Sequence, residues 1–300
     1  MQIAVSGSSG LVGSALVPFL RTSGHRVIRL VRRAPSETDI LWNPAEGVKD
    51  LSQLEGVDAV VHLAGENIAA GRWTPERKAE IRHSRVEGTQ KLCESLAQLS
   101  QPPRVLVSAS AIGFYGNRGS ETLREESPPG RDFLAQVCVA WEAATEPASR
   151  AGVRVVQPRF GMILSPAGGA LQRMLTPFKL GVGGRIGSGT QFMSWIALDD
   201  AIGAIEHAIR TESLQGPVNA VAPHPVTNAE FTQVLARVLS RPAFLPLPAF
   251  AARLALGEMA DALLLSSARV IPARLQESGY PFQYPELEGA LRHLLCHPPS

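Results

Sequence analysis

The 300-residue chain has 45% hydrophobic and 19% charged residues, with 29 Lys and Arg against 27 Asp and Glu for a net charge of +2. That composition excludes a disordered chain and supports one large domain or two smaller ones, with no need of a disulfide or metal staple. No uncharged apolar run reaches the roughly 18 residues of a membrane span, and the charge is too small to act as a long-range field on nucleic acid. Neither partner is expected, and any anion site must be local.

The three cysteines, Cys93, Cys138 and Cys296, form no C-x-x-C pair, which points to free thiols in a reducing compartment. The sequence enters an apolar strand at residue 2 with no basic segment before it, so a cytoplasmic location is expected.

In chain order, residues 3–6 read as a strand that runs into Gly7-x-x-Gly10-x-x-Gly13 and a helix starting near Leu11. Pro18 falls inside that helix, where a proline costs about 3 kcal/mol and introduces a kink. Further strands are predicted at 26–31, 59–63, 105–108 and 153–157. Most are almost continuously apolar, as strands covered on both faces are. Helices are predicted at 74–99, with Thr74 as N-cap and Pro75 in the first position, and at 133–150. This alternation implies an α/β fold, a Rossmann-type doubly wound parallel sheet with right-handed crossovers, over residues 1–225. Beyond it Gly and Pro become frequent, at 181–189, 217–225 and 242–248. Thr227 and Glu230 then form a capping box, with Val226 and Phe231 at the staple positions. Helices follow at 228–240, 249–264 and 286–295. Residues 226–300 therefore read as a smaller, mostly helical C-terminal lobe that completes a substrate cleft.

Each glycine of the first turn has a mechanical use. Gly7 allows the tight turn, Gly10 lets backbone approach a pyrophosphate, and Gly13 lets the helix pack close to the strand. The helix N-terminus then presents free N–H groups and its positive dipole end to phosphates. The second strand ends in Val31, Arg32 and Arg33, and no acid follows before Glu37. An NAD-binding unit normally places an acid there for the ribose 2′-OH, whereas an arginine holds a 2′-phosphate by charge-assisted bonds. NADP(H) is the expected cofactor. Leu63, Ala64 and Gly65 close the strand 59–63 at the carboxyl edge, where an open sheet binds its ligand. His62 points to the opposite side and reads as a packed core histidine.

The segments VSGSSGLVG, HLAGENI, SRVEGT, SASAIGFYG, WEAAT and PRFGMILSPAGGAL resemble the extended short-chain dehydrogenase/reductase superfamily. VNAVAPHPVTNAEF, RPAFLPLP and RVIPARLQESGYPFQYPELEGALR resemble the C-terminal portion of its atypical NAD(P)-dependent epimerase subgroup. The resemblance covers essentially the whole chain. It implies that Gly7, Gly10, Leu11, Val12 and Gly13 line the pyrophosphate and that Val31 and Arg32 sit at the adenosine ribose. It places Leu63, Ala64 and Gly65 on the adenosine side, and Ser108, Pro158 and Arg159 toward the nicotinamide half. Glu80 and Arg85 are implied to approach the cofactor; the alternative is that both belong to a solvated helix face.

The superfamily's catalytic set is Tyr-x-x-x-Lys on one helix with a Ser or Thr after the fifth strand. Anchoring on Glu142 places the tyrosine and lysine positions at Leu134 and Cys138, and none of Tyr115, Tyr280 and Tyr284 has a lysine four residues on. The serine survives as Ser110, and Tyr115 falls near the expected mouth of the site; these two are the candidate catalytic residues. Cys138 reads as a buried small residue, and no metal is expected. The inter-lobe cleft, lined by Ser110, Tyr115 and the loop 181–195 with Arg185, is the expected place for a small-molecule substrate of unknown identity. A homodimer is left open. Two functions follow: an NADP(H)-dependent oxidoreductase or epimerase-like enzyme with a relocated proton donor, or a non-catalytic NADP(H)-binding sensor or scaffold.

Overall fold

The computed structural model of the chain describes residues 1–33, 36 and 38–296. Strand β1 (Gln2–Ser6) is followed by helix α1 (Leu11–Thr22), then by β2 (Arg26–Val31), β3 (Ile40–Asn43), β4 (Gly47–Val48) and β5 (Ala59–His62). Helix α2 (Pro75–Ala97) leads to β6 (Val105–Ser108), and helix α3 (Phe133–Ala143) to the strand Arg154–Phe160. The sheet order is Gly216–Ala220, Arg154–Phe160, β6, β5, β1, β2, β3, β4. All neighbours are parallel except β3 with β4.

Alternation along the strands explains why they read as unbroken apolar runs. Ile3 and Val5 face a core built with Leu16, Leu20 and Ile205, while Ala4 faces another built with Leu92, Cys93 and Leu96. Both faces are covered, so neither parity of position can be polar. α1 continues through Pro18, which lies on its exposed side.

Several predicted elements differ in extent. The predicted helix 133–150 is interrupted after Ala143 and resumes as Glu146–Arg150, with Pro147 in its first turn. The predicted helix 249–264 breaks at Gly257, whose φ of 63° is left-handed. The strand expected to end at Gln157 runs on to Phe160. The segment from Pro217, read as a Pro-rich connection, instead joins Gly216–Ala220 as an edge strand, a position where a missing N–H is tolerated.

The smaller lobe is not contiguous in sequence. Its core joins Leu164, Leu171, Trp195 and Ala197 to Phe231, Leu235 and Leu291. The capping box at Thr227 and Glu230 forms as predicted, with both of its bonds in place. Among the described residues no helix is long and apolar enough to cross a membrane, and no group of three or more His, Cys, Asp or Glu side chains could hold a metal ion.

One buried carboxylate ties the chain end to the sheet-covering layer. Asp200, in the first turn of helix Leu198–Arg210, accepts from the backbone N–H of Gln283 at 2.8 Å and of Tyr284 at 2.9 Å. The Tyr280 hydroxyl donates to the Asp200 carbonyl oxygen at 2.9 Å. Replacing the carboxylate leaves two amides without acceptors, and bonds to charged groups contribute about 1.5–3 kcal/mol each. Asp200→Ala is therefore expected to lose about 3–6 kcal/mol in urea unfolding, with faster amide exchange in residues 280–296 than in β1.

Candidate cofactor site and substrate cleft

The strand register brings the candidate cofactor residues to one edge. Ser6, the last residue of β1, lies level with Leu30 on one side and with His62 on the other, and His62 lies level with Ser108. The turns after β1, β2, β5 and β6 therefore open side by side, and the order reverses between β1 and β5, where an open sheet forms its ligand crevice.

Backbone crowding requires glycine in the first turn. Gly7 has φ 67°, and a Cβ there would lie 2.7 Å from the carbonyl carbon of Leu63. A Cβ on Gly13 would lie 2.2 Å from the Gly7 carbonyl oxygen, so α1 can pack this closely on the turn only without a side chain. Gly10 donates its N–H to the Gly7 carbonyl at 3.0 Å and caps α1 without any side-chain bond, and no acid sits in the first turn. The N–H groups of Leu11, Val12 and Gly13 are thus left for an anion.

At the end of β2, Arg32 and Arg33 are exposed. Glu37 lies outside the described residues. Asp39, the next acid, is committed elsewhere: Arg29 donates to its two carboxylate oxygens at 2.8 and 2.6 Å. That pairing holds the Asp39 carboxyl down to about 2. At the end of β5, His62 is fully buried between the Ser6 hydroxyl at 2.6 Å and the Thr89 hydroxyl at 3.1 Å. Burial holds its ring near 4, so it is neutral and structural, as its position on the strand predicts. Leu63 and Ala64 are half-buried and Gly65 exposed.

The two α2 residues diverge. Glu80 points outward and accepts from Arg77 at 2.7 Å, which corresponds to the solvated-face alternative. Arg85 turns inward: a Cβ on Gly65 would lie 3.4 Å from its guanidinium carbon, and that carbon stands 5.1 Å from the Trp141 ring centre. Its only polar partner among the described residues is the Ile81 carbonyl at 3.2 Å, and desolvation lowers its pKa.

The substrate half is differently built. Ser108 is buried with its hydroxyl unpartnered. Ser110 donates to Glu142 at 2.7 Å. Glu142 in turn accepts from Arg159 through both oxygens, at 2.7 and 2.8 Å. Arg159 also donates to the Tyr115 hydroxyl at 2.9 Å and the Glu125 carbonyl at 3.0 Å, and stacks 3.4 Å from the Phe114 ring centre. Tyr115 donates to Asn219 at 2.7 Å, and burial pushes its hydroxyl up to about 12. These placements change two sequence expectations. Tyr115 is enclosed in a core cluster and does not line the mouth of a cleft. Arg159, expected toward the nicotinamide half, is paired with Glu142, and Pro158 is buried within its strand. Glu142, Glu125 and Asn219 were not expected as site residues. The partners of their side chains lie 17 to 149 positions away, beyond any local sequence signal.

Leu134 and Cys138 face Gly113, where a Cβ would meet the Leu134 Cβ at 3.4 Å and the Cys138 Sγ at 3.8 Å. Burial pushes the Cys138 thiol up to about 12, which keeps it protonated at neutral pH. The lobes meet beside this region. Arg72 donates to the carbonyls of Leu254 and Ala255, Arg173 donates to the Ala69 carbonyl at 2.8 Å, and Lys78 pairs with Glu258. In the loop 181–195, Arg185 is exposed and donates to the Ser188 carbonyl at 3.3 Å.

Parallel order, glycine turn and uncapped helix together define a dinucleotide-binding protein of the Rossmann class. Residues 3–221 match the NAD dependent epimerase/dehydratase family, and residues 247–294 match a domain of unknown function, DUF1731. The chain belongs to that epimerase/dehydratase family. It is 46% identical over 297 residues to Epimerase family protein Mb2239 of Mycobacterium bovis, covering 99% of this chain and 98% of the relative. The crystal structure of human epimerase family protein SDR39U1 (isoform 2) with NADPH superposes with a TM-score of 0.92 at 36% identity, covering 99% of this chain and all of that one. A nucleoside-diphosphate sugar epimerase from Corynebacterium glutamicum superposes with a TM-score of 0.82 at 41% identity; the match covers 98% of this chain and 58% of that longer one.

Two predictions separate the roles assigned above. Tyr115→Phe removes a hydroxyl from a closed internal network, so it is expected to cost about 1–3 kcal/mol of stability while changing NADPH affinity less than twofold; calorimetry and urea unfolding read the two separately. For Asp39 the folded value lies below the ordinary value of about 3.9. Its contribution is present above pH ~4 and lost as pH falls toward 2. The stability difference between wild type and Asp39→Asn should thus shrink over that interval, measured by urea unfolding at stepped pH.

Proposed function

We propose that this chain is an NADP(H)-dependent oxidoreductase of the epimerase type acting on a small-molecule substrate. The observation that carries the cofactor assignment is the end of β2: two exposed arginines stand there, and the first acid after them among the described residues, Asp39, is withdrawn into a bidentate pair with Arg29. The solved human relative contains NADPH, in keeping with this reading.

The residues present fit the group. The Gly7–Gly13 cradle is closed to side chains and would present the free N–H groups of α1 to the pyrophosphate, while Arg32 would hold the 2′-phosphate. The unpartnered Ser108 hydroxyl gives the neighbouring edge a polar atom for the bound molecule. When bound, NADP(H) supplies two-electron redox chemistry at its nicotinamide. The proton route available within the protein is Ser110 to Glu142, with the Arg159 guanidinium balancing the carboxylate. Leu134 and Cys138 offer none.

One observation favours a second reading, a binding protein that senses or scaffolds without turnover: the hydroxyls of Ser110 and Tyr115 both turn inward, to Glu142 and Asn219. Calorimetry tests the cofactor. NADPH is expected to bind about ten- to hundred-fold more tightly than NADH, the equivalent of one charged hydrogen bond of about 1.5–3 kcal/mol, and Arg32→Ala should shrink the gap. Equal affinities in the wild type would refute the assignment. NADPH oxidation over a panel of carbonyl compounds and sugar nucleotides then separates the two readings. Turnover lost in Glu142→Gln with cofactor binding kept supports the enzyme, and tight binding without turnover supports the sensor.

A further inference from the structure

The stretch of chain that leaves β2 and returns as β3 carries Arg32 and Arg33, and a side-chain pair closes it at its base. Arg29 stands on β2 and Asp39 immediately before β3, ten positions apart. The two strands pair at Leu30 with Ile40 and at Val31 with Leu41. The Arg29–Asp39 contact extends that register by one step, on the face that Arg29 shares with Val31.

This contact is more than a surface ion pair. The Asp39 side chain is only 2% exposed, against 42% for Arg29. Arg29 donates from Nε to Oδ1 at 2.8 Å and from Nη2 to Oδ2 at 2.6 Å, and two parallel bonds fix orientation as well as distance. The same carboxylate accepts the backbone N–H of Ser36 at 3.0 Å, and Asp39 donates its own N–H to the Ser36 carbonyl at 3.0 Å. One side chain therefore holds two points of the chain. The first is the strand three residues before Arg32, and the second is the returning segment three residues after Arg33.

Arg32 and Arg33 lie between those points and are exposed. An arginine on a loose loop loses backbone and side-chain freedom when it takes a phosphate. Closing the loop beforehand removes part of that loss from the binding step. The pairing also balances the Asp39 charge, which would otherwise oppose an incoming phosphate.

Resting on the cofactor reading above, we propose that Arg29 and Asp39 are positioning residues for NADP(H) specificity. They clip the base of this stretch so that Arg32 and Arg33 are held toward the 2′-phosphate, and they act through the backbone rather than by contact with the cofactor.

Calorimetry on the full chain with NADPH and NADH tests this. The readout is the ratio of the two affinities, because a damaged fold weakens both while displaced arginines weaken only NADPH. Arg29→Ala and Asp39→Ala are each expected to lower the ratio about tenfold, with NADH affinity held within about twofold. Asp39→Asn keeps an acceptor for Ser36 and for one Arg29 donor, and is expected to retain most of the ratio. Charge alone makes the opposite forecast at position 39. Removing an acid near a phosphate strengthens NADPH binding, so a raised ratio in Asp39→Ala overturns the proposal. Unchanged ratios in both alanine variants also overturn it, and leave the cofactor reading standing if the wild type prefers NADPH. Equal affinities in the wild type remove the cofactor reading and the proposal together. If circular dichroism shows an alanine variant unfolded, Arg29→Lys decides. It keeps the charge but not the two-point contact, so a lowered ratio supports positioning and an unchanged one overturns it.

Discussion

Two opposite charges lie inside the protein where α3 crosses the strand Arg154–Phe160, and much of the substrate half is arranged around them. Burying Glu142 and Arg159 is costly unless every donor and acceptor is matched. Here the guanidinium bonds both carboxylate oxygens, a phenol oxygen and a backbone carbonyl, and its carbon stands 3.4 Å from the Phe114 ring centre. Ser110 completes the carboxylate's shell and Asn219 completes the phenol's. Two hydroxyls that would otherwise be free for chemistry are therefore part of the solvation of an internal ion pair.

This gives the two halves of the crevice different characters. In the cofactor half, ligand-directed groups are backbone N–H groups at a helix start, kept open because glycines prevent side chains from filling the space. In the substrate half the polar groups face one another. The position four residues before Glu142 holds a buried thiol packed on Gly113. A half-buried guanidinium, Arg85, stands beside that thiol with no carboxylate partner among the described residues.

The smaller lobe depends on the larger one for its shape. Its core is shared between residues 162–197 and 226–295, its chain end hangs on Asp200, and its contact with the loop after β5 and the first turn of α2 is made through Arg72 and Lys78.

The parallel, doubly wound plan, the glycine turn, the cap at Thr74, the box at Thr227 and the basic end of β2 were legible in the sequence, because each leaves a local pattern, whereas the short strands β3 and β4 were not predicted. Periodicity shows that both faces of a strand are covered, and a glycine triplet at a strand end has few mechanical explanations. The edge strand Gly216–Ala220 was hidden by Pro217, whose tolerance depends on having no neighbour on one side. The breaks after Ala143 and at Gly257 were marked by Pro147 and a glycine, yet the apolar pattern ran through both. The fates of Tyr115, Arg159 and Glu142 could not be read at all. Whether a hydroxyl or guanidinium faces a ligand or an internal charge is settled by partners up to 104 positions away, and only the packing of α3 against the sheet brings them within hydrogen-bonding distance.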